Sequence, residues 1–285
     1  MLVDMPVAVE MYLSDLVNSL GTEFGFEQSI KIIKGLLIQN RCLFSMHKNS
    51  FGISPFLKVS EILTSLNMPD IFYAEVEREL PNADIIHLGY ERQSDKIIYK
   101  LYLEYSTNFR VASKNQQFSS DPQKVHLAFK WNPDDVTQVT RTHYFCQPNL
   151  TVSEITRRLE VMYDGKVSQT PCKVVIAILN DAARKIDSSD LMFMEVHEDN
   201  NPRLSFDLNL YDAELTISDV ESLLIQASEC FSIPVRQWSK LMKVIRSETL
   251  GHISGGIGRD GQEFLTVYFG VVGKTSTDMP KIISR

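Results

Sequence analysis

The chain has 285 residues, is 44% hydrophobic and carries a formal net charge of -7. That length and apolar content can build a large core, and the acidic balance without any basic run argues against a nucleic-acid partner. No apolar run approaches the roughly 18 residues that suggest a membrane span, and the start MLVDMPVAVEMYL lacks the basic and apolar stretches of a signal peptide.

In chain order, apolar residues recur at helical spacing over 7–20 and 27–38. A weak hairpin follows: a strand RCLFSMHK, a turn at 49–52 and a strand ISPFLKV, then a helix at 58–66. A strong hairpin occupies 85–105, and the stretch 106–124 reads as a loop with a short helix inside it. After a second hairpin at 126–144 come helices at 151–163 and 172–186, with Ser153 as cap of the first and Pro171 just before the second. A third hairpin spans 193–211; helices at 217–231 and 234–246 follow, with Ser218 as a cap and Pro234 near the second start. The last hairpin is 252–268. The four cysteines (Cys42, Cys146, Cys172, Cys230) are scattered without a CxxC, which predicts free thiols in a cytoplasmic protein.

One supersecondary unit therefore recurs. Its copies read HLGYERQSDKIIYKLY, HLAFKWNPDDVTQVTRTHY, FMEVHEDNNPRLSFDLNLY and HISGGIGRDGQEFLTVY, closing on Tyr102, Tyr144, Tyr211 and Tyr268. The order is helix, strand, strand, helix, and no Gly/Ser-rich linker divides the chain, so residues 1–285 read as one αββα-repeat domain.

Alternation separates the two faces of each strand. Ile97, Tyr99, Leu101 and Leu103 oppose Ile98, Lys100, Tyr102 and Glu104; Val125, Leu127, Phe129 and Trp131 oppose His126, Ala128, Lys130 and Asn132. Leu204, Phe206, Leu208 and Leu210 oppose Arg203, Ser205, Asp207, Asn209 and Tyr211. Amphipathic helices must cover the apolar face. The polar face then lines either bulk water, in an open sheet, or the lumen of a closed barrel. The reading favoured here is an α+β fold: a ten-stranded antiparallel β-barrel surrounded by helices, wide enough for a solvent-filled ligand chamber.

The element order, with CLFSM at 42–46, Lys100-Leu101-Tyr102 on the second strand of a hairpin and Arg203-Leu204-Ser205-Phe206 on a later one, resembles the ABBA-type aromatic prenyltransferases, above all their soluble bacterial branch. The resemblance implies a PT-barrel that moves a dimethylallyl or geranyl group from its diphosphate to an indole or phenol. Two departures stand out. Magnesium-dependent members carry an Asp on the second strand of the first hairpin, where this chain reads GISPF at 52–56. Magnesium is thus left open as a cofactor and none is required by the sequence. The last hairpin has FLTVY in place of a pre-aromatic Lys, which leaves a diphosphate contact to Lys130 or Arg141.

An allylic diphosphate needs converging cations, Arg for bidentate and Lys for point contact. Lys100, Lys130 and Arg203 share the polar face of three hairpins. The allyl cation left by ionisation needs aromatic faces, and Tyr102, Tyr144, Tyr211 and Tyr268 are the candidates. A carboxylate must take the acceptor's proton. Asp207 is the first choice and Glu195 the second, both assigned to one side of the third hairpin, with Glu104 and Glu91 on that of the first. His87, His126 and His252 begin three hairpins but have no recurring carboxylate or Cys beside them, so they read as strand-end hydrogen-bonding groups with no metal. GHISGGIGRDG lies within a hairpin and lacks the helix that a phosphate loop needs, so Arg259-Asp260-Gly261 reads as a turn, and Asp134-Asp135 also sits at a hairpin turn. A carrier with an apolar lumen is the competing function. A monomer is expected, because a closed barrel has no free edge.

Overall fold

Strand β1 (Gly25–Ile33) decides the architecture, because it pairs with both ends of the sheet. The computed structural model describes residues 7–93, 96–107, 122–165 and 168–273. After helix α1 (Val7–Ser19), β1 turns at Gly35 into β2 (Leu36–Ile38) and β3 (Arg41–His47), which together form one strand broken at 39–40. The hairpins β4 (Ile85–Gln93)/β5 (Lys96–Glu104), β6 (Gln123–Asn132)/β7 (Asp135–Cys146), β8 (Met192–Glu198)/β9 (Asn201–Asn209) and β10 (Leu250–Ile257)/β11 (Glu263–Gly273) follow in order. Each strand pairs with its neighbour, and β11 returns antiparallel to β1, so ten antiparallel strands close into a barrel. The open-sheet reading ends there.

The apolar faces point outward, under helices. α1, α2 (Pro55–Ser65) and α3 (Tyr73–Glu79) pack on β3 to β6, with Phe129, Trp131, Leu101 and Leu63 at the centre. α4 (Val152–Met162), α5 (Thr170–Ala183), α6 (Glu221–Cys230) and α7 (Val235–Ile245) pack on β1 and β8 to β11, around Ile32, Phe206, Leu224 and Leu265. A third, small cluster of Val125, Cys146, Met192 and Met194 sits where β6 and β8 begin and β7 ends; Tyr144 packs on it. A register shift between Lys124 and His126 lets Val125 join this group.

Two expectations are corrected. The segment 27–38 is a hairpin, not a helix: its short apolar run fits either period, but the β-branched isoleucines and Gly35, at φ 71°, favour strand and tight turn. Nor is ISPFLKV, 53–59, a strand. Lys48–Phe51 is a 3-10 turn, and Pro55 opens α2 in the first-turn position where a missing N–H costs nothing. The loop-and-helix reading of 106–124 falls mostly outside the described residues.

Capping also differs. Thr151 caps α4: its Oγ1 accepts from Glu154 N at 3.2 Å, and the Glu154 carboxylate accepts from Thr151 N at 2.8 Å. Ser153 lies inside the helix. Ser218 precedes the N-cap of α6, Val220, and instead accepts weakly from Arg246. Pro171 stands within the first turn of α5. Thr151→Ala is therefore expected to lower the unfolding free energy by about 1 kcal/mol in urea titration. Ser153→Ala should change it by no more than about 0.5 kcal/mol; the reverse ranking would refute the assigned cap.

Candidate active site

Inward positions of the ten strands line one lumen with two storeys. The wider storey, at the hairpin-turn end, is a cavity of about 620 Å3. Lys31, Arg41, Lys96, Lys100, Lys130, Arg203 and Arg259 line it against only three carboxylates, Glu91, Asp207 and Asp260. The deeper storey, about 90 Å3, is lined by Glu27, Ser45, His87, Glu104, His126, Asp207, Asn209, Tyr211 and His252 among others. Tyr102, Tyr144, Tyr268, Arg41, Lys100 and Asp207 line both, and so form the boundary.

In the upper storey the charges are partly neutralised. Glu91 Oε2 accepts from Lys100 Nζ at 2.6 Å and lies 3.4 Å from Arg41 Nε. Burial opposes its charge, yet Arg41, Lys100 and Lys31 outweigh that and hold the carboxyl well below its ordinary value. Arg203 and Arg259 both reach Glu198, at 3.2 and 2.7 Å. Lys31 and Arg203 flank the Phe264 ring, at 5.1 and 5.7 Å from its centroid. Lys130 has no carboxylate within ion-pair distance among the described residues. Burial, then Arg203 and Lys100, depress its pKa well below the usual lysine value; burial likewise brings Lys100 down to about 8. Such crowding of buried like charges is costly unless an anion joins them.

The boundary is aromatic. The Tyr102 and Tyr144 ring centroids are 6.0 Å apart, and Tyr268 stacks on His252 at 3.6 Å with Arg41 5.9 Å from its ring on the cation–π side. Burial raises all three phenols, Tyr268 to about 12 and Tyr102 well above its ordinary value, so they are neutral near pH 7.

Below, His252 bridges two acids. Its Nδ1 is 2.8 Å from Asp207 Oδ1, its Nε2 is 3.3 Å from Glu27 Oε1, and Tyr211 Oη donates to Glu27. Tyr211 reaches this site because Gly251 stands under its ring, where a Cβ would lie 2.5 Å from it. Beside this unit, Glu104 Oε2 meets His87 Nε2 at 2.9 Å and His126 Nε2 at 3.5 Å, and Ser45 Oγ contacts His87 Nδ1 at 2.7 Å.

The structure thus brings together Lys100, Lys130, Arg203, Asp207, Tyr102, Tyr144 and Tyr268 in one lumen; Tyr211 joins the lower storey only. It removes Glu195 and Arg141. Glu195 opposes Phe206 in the β8–β9 register and so points outward, to Arg158 of α4, whereas Met194 opposes Asp207. Arg141 opposes outward Phe129 and pairs with Glu75 of α3 at 2.7 Å and with Asp199. Sequence reasoning missed Lys31 and Glu27, which the helical reading of 27–38 concealed. It also missed Arg41, although extending the alternation of Leu43 and Ser45 one step back would have found it. Lys31 opposes Thr266 across the β1–β11 seam and puts a cation beside the strand that lacks the resemblance's Lys.

A ten-stranded antiparallel barrel with a polar lumen and an outer layer of helices is the PT-barrel fold of the ABBA-type aromatic prenyltransferases, and this chain has that fold. No family model matches the sequence, and no curated protein matches it. Among solved structures, 5-dimethylallyltryptophan synthase from Streptomyces coelicolor superposes with a TM-score of 0.58 at 12% identity, over 86% of this chain and 80% of that one. The prenyltransferase PriB, solved with L-tryptophan and dimethylallyl thiolodiphosphate, gives 0.57 at 10% identity over 86% and 79%. A 6-dimethylallyltryptophan synthase from Micromonospora olivasterospora, in complex with DMASPP and Trp, gives 0.54 at 12% over 86% and 81%. At these identities the likeness is one of fold. Among the described residues, no helix is long and apolar enough to cross a membrane.

The Asp207–His252–Glu27 unit has a pH signature. Burial lowers the His252 pKa, but Asp207 and Glu27 outweigh it and raise the value from 6.5 to about 10. A histidine raised on folding contributes stability that is complete below about pH 6.5 and lost as pH rises through about 10. Lys100, depressed on folding, has the opposite trend in an overlapping window, so the test is a difference. Urea unfolding from pH 6.5 to 10 should show a stability advantage of the wild type over His252→Gln that shrinks with rising pH; a constant or growing advantage would exclude the buried imidazolium.

Proposed function

We propose that this protein is an aromatic prenyltransferase, which moves a short allylic group from its diphosphate to an indole or phenol held in the lumen. The observation that carries this reading is the layering of one closed lumen: surplus cations above, neutral phenols at the boundary, acids and imidazoles below. The diphosphate lies among Lys31, Lys100, Lys130 and Arg203, where its negative charge offsets their mutual repulsion. The C–O bond to the allylic carbon breaks, and the leaving diphosphate stays in the cationic storey. The allyl cation faces Tyr102, Tyr144 and Tyr268, each worth roughly 0.5–2 kcal/mol of cation–π stabilisation. These phenols are neutral, so they screen the cation without capturing it as phenolates would. An acceptor atom from the lower storey forms the new bond, and its proton passes to Asp207, which lines both storeys.

Magnesium does not fit the diphosphate storey well. Glu91, the carboxylate among Arg41, Lys100 and Lys31, is already committed to Arg41 and Lys100; no step is assigned to that ion. A carrier function would suit an apolar lumen, and the observed cations weigh against it.

Isothermal titration with dimethylallyl thiolodiphosphate tests the donor site. Saturable binding is expected with and without magnesium. Lys130→Met, which keeps the stem and removes the charge, should weaken it about 10- to 100-fold, the worth of a contact of about 1.5–3 kcal/mol. Affinity should also fall as pH rises above about 8, where Lys100 loses its proton. Absence of binding by folded protein would overturn the prenyltransferase reading.

A further inference from the structure

We propose that His87, Glu104 and His126 form a binding site for one divalent transition-metal ion of the zinc class in the floor of the lumen. The three side chains come from β4, β5 and β6, three adjacent strands, and all are buried. One ligand atom from each lies within 4.8 Å of the others. Two of the separations, 2.9 Å from His87 Nε2 to Glu104 Oε2 and 3.5 Å from His126 Nε2 to the same oxygen, bracket a simple geometric requirement. Ligands held at about 2.0–2.1 Å from a tetrahedral zinc ion are about 3.3 Å apart. Two imidazoles and one carboxylate are a donor set suited to zinc, cobalt or ferrous iron and poorly suited to magnesium or calcium.

Two further features point to a ligand. Glu104 has no exposed surface, yet its Oε1 has no hydrogen-bond partner; a cation bound at Oε2 would offset the charge left on that oxygen. Ser45 Oγ, 2.7 Å from His87 Nδ1, can accept a hydrogen bond from Nδ1–H, the tautomer that leaves the Nε2 lone pair for a metal. All three ligands line the lower chamber, so the ion's open side faces it and can take water or an acceptor's hydroxyl as a further ligand. The site stands apart from the diphosphate cations and does not depend on prenyl transfer.

The test uses the full-length protein, stripped with chelator and dialysed, titrated with Co2+ and then Zn2+. One equivalent of Co2+ should bind and give visible d–d absorption of a four- or five-coordinate ion, which Zn2+ then displaces. Ser45→Ala, a mild change, should weaken binding roughly 10-fold, and Glu104→Gln more than about 100-fold, beyond the range of outer contacts. Failure of folded wild-type protein to bind one equivalent would overturn the proposal. So would binding unchanged in both variants, which would assign the metal to surface histidines such as His143 beside Asp199.

Discussion

The antiparallel pairing of β1 with β11 is the constraint on which the rest of this structure depends. Eight paired positions, from Gly25–Gly273 to Ile33–Phe264, turn a twisted sheet into a barrel. Closure changes the dielectric around one whole face. In an open sheet Lys100, Lys130 and Arg203 would be ordinary solvated cations. Inside the barrel they share a cavity with Lys31 and Arg41, and their repulsion becomes a driving force for binding an anion.

Closure also sorts chemistry by height. Each strand contributes one inward residue per two positions, so neighbouring strands in register present their side chains at matched levels. Lys100 opposes Lys130, and Tyr102 stands near Tyr144. Glu104 opposes His126, one step lower again. The lysine, tyrosine and acid levels of the lumen are the successive inward positions of β5 read across to its neighbours. A reaction that separates a diphosphate anion from a carbocation needs such a vertical order, because the groups that welcome the anion must not capture the cation.

The outer surface explains why the lumen can be so polar. Two helical layers bury the apolar faces of β3 to β6 and of β1 with β8 to β11. These supply the hydrophobic stabilisation, so the lumen is free to carry polar and charged groups. Along β7 and the outward positions of β8 near it, the chain meets the rims of the two helical layers through polar side chains: Arg141 pairs with Glu75 of α3 and Glu195 with Arg158 of α4. His143 sits there too, beside Asp199, and this is why Arg141 and Glu195, both expected in the site, belong outside it.

Much of this was legible in the chain. The four Tyr-closing hairpins, their inner and outer faces and the helix pairs between them follow from period-two and helical spacing and from turn chemistry, which are local properties; closure was the favoured reading, and the β1–β11 pairing decides it. So do Lys100, Lys130, Arg203, Asp207 and the boundary tyrosines, since strand parity alone puts them on the polar face. The first hairpin was not legible, because EQSIKIIKGLLI satisfies helical and strand periods alike and only its partners β11 and β3 choose between them. Glu195 needed the β8–β9 pairing, in which it opposes outward Phe206 while Met194 opposes Asp207. Local alternation thus determined which residues face inward. Which of them meet is set by register, bulges and the β1–β11 seam. These are long-range pairings, and only the tertiary structure could bring Glu104 to His87 and His126, or Glu27 to His252.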